Sequence, residues 1–149
     1  MLMGHLASAQ IFEPMHWSWK AERVSGDTFD LKFTCKIDSP WHSYSVTTVD
    51  SIPYPTTISI LSNTDIELIE KPIESGPNWK FIGDPILGKT KFYTKRAVFT
   101  QRIKVKKSTI VKGDIEAIAA DASRCLAPLM TDFNITIDPT KKVKIVLEN

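Results

Sequence analysis

Cysteine occurs only twice in the 149 residues, and histidine only three times. That scarcity removes whole classes of chemistry. His5, His16 and His42 are scattered, and no Cys-x-x-Cys or His-x-x-x-His spacing is available to hold a metal. Glycine is also sparse, at six, and none builds the loop that cradles phosphates in nucleotide-binding proteins. Neither a metal nor an organic cofactor is expected. No apolar run approaches the roughly 18 residues that a membrane span requires. An excess of one charge is missing too, because a net charge of +2 is too small to argue for nucleic acid. Lys104, Lys106, Lys107 and Lys112 cluster, as do Lys141, Lys142 and Lys144, but Val105, Val143 and Ile145 alternate with them. That is the pattern of a solvated strand face. Helical periodicity is nearly absent, and there is no internal repeat.

What is present is ordinary in bulk and informative in detail. The apolar share of 42% and charged share of 24% are those of a globular domain. A chain of this length buries about two thirds of its unfolded surface as a single domain. Leu6-Ala7-Ser8-Ala9-Gln10 puts small residues where a signal peptidase reads, with cleavage expected after Ala9. Residues 1–9 are therefore read as the remnant of an export signal, and residues 10–149 as the domain. A small-residue tail with no role is the alternative. Export would place the domain where disulfide chemistry is possible.

Period-two alternation recurs along the rest of the chain. Trp17 and Trp19 mark a first strand. Phe29, Leu31, Phe33, Cys35 and Ile37 alternate with polar residues in the clearest one, after a Ser25-Gly26-Asp27 turn. Further strands are expected at residues 41–46, 57–61, 66–69, 97–105, 114–119, 132–137 and 143–147. Residues 71–89 carry Pro72, Gly76, Pro77, Gly83, Pro85 and Gly88 together with Trp79, Phe81, Ile86 and Leu87. They are read as a long loop that folds back over something, since loops of that length are usually functional. About nine short strands with turn signals between them predict an all-β fold, an immunoglobulin-like antiparallel β-sandwich.

The stretch Asp121-Ala122-Ser123-Arg124-Cys125-Leu126-Ala127-Pro128 stands apart. It places a cysteine in a polar connection, whereas structural cysteines usually sit among apolar neighbours. Arg124 beside it would favour the reactive thiolate. A cysteine hydrolase would need a base, for which only His42 is available. A Cys35–Cys125 bridge between sheets would stabilise by roughly 4 to 5 kcal/mol through loop closure. Against it, Cys35 shares a strand face with Phe33 and Ile37, as a core thiol would.

These residues bring out a family resemblance. Trp41-His42-Ser43-Tyr44-Ser45, Gly88 followed by Phe92 and Ala97-Val98-Phe99-Thr100-Gln101, and Arg124-Cys125-Leu126-Ala127-Pro128 before Asp132-Phe133 resemble the amino-terminal periplasmic domain of the DsbD thiol:disulfide interchange proteins. The resemblance covers nearly all of residues 12–147. It implies an immunoglobulin-like fold with a redox-active cysteine pair near its end. It also implies electron transfer from a thioredoxin-like domain to periplasmic thiol–disulfide partners through mixed disulfides. Cys125 matches the second cysteine of the pair. Asp84, Ile86 and Leu87 match a cap loop over it, and Trp41, Tyr44 and Pro128 match residues lining its surroundings. Trp41 and Tyr44 fit an ordinary sandwich core equally well.

The chain departs from the family at one decisive place. The first cysteine of the pair falls at Ala120, and Ala127 replaces a common proline. A lone Cys125 thiolate can form a mixed disulfide but cannot resolve it internally. The alanine fits either a substitution made to trap a partner or a domain that has lost the two-cysteine cycle. Three readings follow. The first is a periplasmic interchange module, an oxidoreductase-like domain impaired at Ala120. The second is a non-catalytic exported protein-binding module, and the third a structural sandwich with two inert thiols. The resemblance allows for attachment to a membrane domain in a longer protein.

Overall fold

A computed structural model describes residues 12–46, 54–84 and 88–141, with only the backbone at 82–84 and 88–90. The export remnant expected at residues 1–9, the strand expected at 143–147, and Ile86 and Leu87 of the expected cap lie outside the described residues. The described residues form ten strands, and every strand pairing is antiparallel. The fold is all-β, an immunoglobulin-like β-sandwich. No helix of the described residues is long and apolar enough to cross a membrane.

The first sheet is built on β2 (Thr28–Ile37), whose alternation buries Phe29, Leu31, Phe33, Cys35 and Ile37 on one face. β1 (Met15–Ser25) joins it through a tight turn at which Gly26 has φ 52, a left-handed conformation that glycine adopts without steric cost. β8 (Arg96–Val105) pairs on the other side of β2, and β5 (Ile66–Ser75) closes that edge. In β5 the register slips between Ile69 and Ile73, and Glu70 has φ 63. Pro72 lacks an N–H, and an edge-strand irregularity is where a sheet accepts it. The buried Gln101 amide donates to the carbonyls of Ile69 (3.3 Å) and Glu70 (3.2 Å), satisfying the displaced backbone.

The facing sheet has β9 (Thr109–Ala117) between β10 (Leu129–Ile137) and β4 (Thr57–Ile60). Phe133 on β10 meets Phe33 on β2 with ring centroids 4.7 Å apart, edge to face, at the centre of the sandwich. Gly113 on β9 pairs with Phe133, and a Cβ there would lie 2.7 Å from its ring. The same Cβ would run into the Ser59 carbonyl oxygen on β4, so only glycine fits between that backbone and the ring.

A third, small sheet of β3 (Ser43–Tyr44), β7 (Gly88–Tyr93) and β6 (Trp79–Asp84) packs beside them. It corrects the long loop expected over residues 71–89. Most of that stretch is strand, with β5 running on to Ser75 and β6 pairing with β7. Gly76, with φ 121, and Pro77 make the turn into β6. Trp79 packs on Tyr93 (5.1 Å) and Phe99 (5.9 Å), so this one side chain of the stretch anchors the small sheet to the main core.

Candidate functional site

The chain leaves β9 through Ile118 and Ala119 and turns back over residues 120–125. Ala120 exchanges both backbone hydrogen bonds with His42, at 2.8 and 3.0 Å. On its other side Ala120 opposes Cys125. The bonds that flank this pair run from Asp121 N to Arg124 O and from Leu126 N to Ala119 O, both 2.9 Å. Ala120 and Cys125 are thus a non-hydrogen-bonded antiparallel pair, the closer kind, with Cα atoms about 4.5 Å apart. Directly opposite residues share a face, so His42, Ala120 and Cys125 stand in one row. Ala120 is buried and Cys125 exposed.

Asp121 shapes the turn. Its Oδ1 accepts from the N–H groups of Ser123 (2.9 Å) and Arg124 (2.7 Å), and its Oδ2 meets the Arg124 guanidinium at 3.0 Å. The Ser123 N–H first, then the Arg124 side chain and N–H, hold the Asp121 carboxyl down to about 2, against a partial desolvation that raises it. Arg124 also stacks on the Trp41 ring, 4.8 Å from its centroid. The arginine expected to favour the Cys125 thiolate is therefore engaged by Asp121 and Trp41.

One wall of the site is aromatic. His42 Nε2 and the Tyr44 hydroxyl lie 3.3 Å apart, and the His42 ring packs edge to face on Phe92 at 5.1 Å. Burial lowers the His42 pKa, only partly opposed by the Asp121 charge, which favours a neutral imidazole. Burial, and secondarily the charge of Cys125, raise the Tyr44 pKa, which places that hydroxyl within electrostatic reach of the sulfur. A strand stands between His42 and Cys125, so the histidine is not seated as the base of a cysteine hydrolase. Pro128, Tyr54, Pro55 and Ile118 line a shallow cavity of about 110 Å³ behind the turn.

No family model matches the sequence, and no curated protein does either. Solved structures do match. The Neisseria meningitidis DsbD amino-terminal domain, in the reduced form, shares 14% identity over 82% of this chain and 86% of its own, with a TM-score of 0.53. The chain has the fold of a DsbD amino-terminal domain. A second Neisseria meningitidis structure, the complex between the DsbD and PilB amino-terminal domains, gives 15% identity, 85% and 89% coverage and a TM-score of 0.52. The amino-terminal periplasmic domain of ScsB from Proteus mirabilis gives 13% identity and a TM-score of 0.59. That match covers 90% of this chain but only 50% of the ScsB domain.

On this DsbD fold the residues singled out from the sequence fall into three groups. Cys125, Ala120, Trp41 and Tyr44 come together around the turn, and Pro128 lies behind it. Asp84 ends β6, and Ile86 and Leu87 lie outside the described residues. Cys35 is elsewhere. It is fully buried in β2, and both thiols are free, so the alternative of a Cys35–Cys125 bridge is set aside. Burial pushes the Cys35 thiol up to about 11, with the Tyr93 hydroxyl and the His16 backbone opposing weakly. Among the described residues no three His, Cys, Asp or Glu side chains are grouped to hold a metal. Sequence reasoning missed Asp121 and Phe92 as residues of the turn and its aromatic wall. Asp121 carried a signal, since Asp-x-Ser is a common Asx turn.

Proposed function

We propose that this chain is a periplasmic thiol–disulfide interchange module of the DsbD type, working through Cys125. The observation that carries the reading is an exposed cysteine closely paired with a buried alanine, in the fold of a domain named for its disulfide chemistry. The Cys125 thiolate attacks a partner disulfide; one S–S bond forms, the partner's bond breaks, and its second sulfur leaves as a thiolate. The family's neighbouring thiol would then resolve the bond. With Ala120 in that place, release waits on the partner's own second thiol or an external one. The chain is thus an oxidoreductase-like domain lacking half of its pair.

The partner is a thioredoxin-like domain or another periplasmic thiol–disulfide protein. Likeness to a DsbD domain solved in complex with a PilB domain supports a protein partner. Likeness to the periplasmic domain of ScsB supports the compartment, as does reading residues 1–9 as an export remnant. Asp84, Ile86 and Leu87 would cover the sulfur between encounters. A membrane domain in a longer protein fits the same reading. Ala120 itself favours a second reading, a non-catalytic exported module that binds the partner without exchange.

Incubation with a thioredoxin whose reactive cysteine carries a nitrothiobenzoate group separates the two. Interchange gives a covalent adduct at Cys125, sensitive to reductant and absent in Cys125→Ser. Binding of thioredoxin by both proteins with no adduct in either would leave the binding module standing and end the interchange reading.

A further inference from the structure

Glu74 lies on β5, away from the turn that carries Cys125, and its side chain is only 4% exposed. Its carboxylate has three donors, two from the segment that follows β3 and one from β7. Oε1 accepts from the Ser45 hydroxyl and the Val46 N–H, each at 2.6 Å, and Oε2 from Lys91 Nζ at 2.7 Å. Lys91 Nζ in turn sits 4.5 Å over the Trp79 ring. Ser45 N also donates to Lys91 O, at 3.1 Å. One buried carboxylate therefore ties the four-stranded sheet to both strands that carry the aromatic wall, because Tyr44 on β3 pairs with Phe92 on β7.

An apolar residue of similar size would fill the same space without fixing direction. A buried carboxylate instead demands its donors in place, and this is the best-attested use of buried charge, setting register and orientation. We propose that Glu74 is a positioning residue, which holds His42, Tyr44 and Phe92 as the surface on which a folded partner seats to reach Cys125. The proposal rests on Cys125 being an exchange site. Cys125 is itself exposed, so a small disulfide needs no seat, whereas a protein does.

Two probes distinguish these demands, the small reagent dithiobis-nitrobenzoate and a thioredoxin bearing one cysteine loaded with nitrothiobenzoate. With either, a new bond to Cys125 sulfur forms, the bond to nitrothiobenzoate breaks, and that group leaves as a coloured thiolate. Glu74→Ala is expected to slow the protein probe about tenfold, short of the roughly hundredfold that a 1 Å misplacement can cost, while the small reagent reacts as with the parent. Glu74→Gln, which keeps an acceptor for Ser45 and Val46 but loses the charge facing Lys91, should fall between, and it serves alone if the alanine variant does not fold. Unchanged rates with the protein probe in the folded variants, or equal slowing with both probes, would overturn the proposal. A parent protein that ignores the thioredoxin probe would overturn the exchange reading instead. Glu74 would then be judged by the His42, Tyr44 and Phe92 ring resonances, which must move in Glu74→Gln if it positions them and stay if it does not.

Discussion

Replacing Ala120 by cysteine should restore a disulfide without moving the backbone. The pair with Cys125 is flanked by two 2.9 Å hydrogen bonds and is of the close type, so its Cα spacing of about 4.5 Å falls within the span that disulfides bridge. The loop closed is short. With about six residues in it, the chain-entropy relation gives roughly 2 kcal/mol of stabilisation at 25 °C. Ala120 is buried, so the extra sulfur will crowd its neighbours at a cost of its own. Comparing oxidised with reduced Ala120→Cys cancels that cost, because the same atoms are present in both. Mild oxidation should lower the mass by two hydrogens. The urea midpoint of the oxidised form should exceed that of the reduced form by about 1 M, taking an m-value of about 2 kcal/mol/M. Failure of the bond to form in the native protein, or a bond from Cys125 to Cys35 or to a second chain, would refute the pairing geometry. Formation without any midpoint shift would instead refute the loop-closure magnitude.

Other consequences follow from single features. The Cys35 thiol is held up to about 11 by burial, so the unfolded thiol ionises before the folded one. Its contribution, on the order of 3 kcal/mol, is fully present below about pH 8.5 and is lost as the pH rises through the folded value. Denaturation across that range should show the slope in the parent and lose it in Cys35→Ala; an equal slope in both would assign the loss to other groups. Phe133→Ala removes the ring that meets Phe33 and lies across Gly113, and should cost about 3 to 5 kcal/mol in chemical denaturation. A cost below about 1 kcal/mol would mean that the two sheets repack without it.

The sandwich was legible because its central strands obey one rule. β2 alternates without a break from Phe29 to Ile37, and β8 and β10 nearly so, because each has one face on the core and one in water. The second half of β5 and all of β6 were read as loop because their signals conflict. Pro72, Gly76 and Pro77 argue against strand, yet on an edge a proline costs no ladder bond and a glycine turn separates two strands. The order of Cys125 and Ala120 along the chain pointed to a redox pair through family likeness, but only folding sets one opposite the other. Glu74 was invisible for a related reason. It is one acidic residue in a strand of mixed character, and its meaning lies in Ser45 and Lys91, which reach it from elsewhere in the chain.

Asp121 and Arg124 cancel each other's charge beside the Cys125 sulfur, and Trp41 occupies the face of the guanidinium. The immediate approach to Cys125 therefore presents little field to draw in a partner of either sign. Encounter there should proceed at an unsteered rate and change little with ionic strength. Discrimination among disulfides then falls to the fit of surfaces after contact, so the module would choose its partners by how long they stay and not by how fast they arrive.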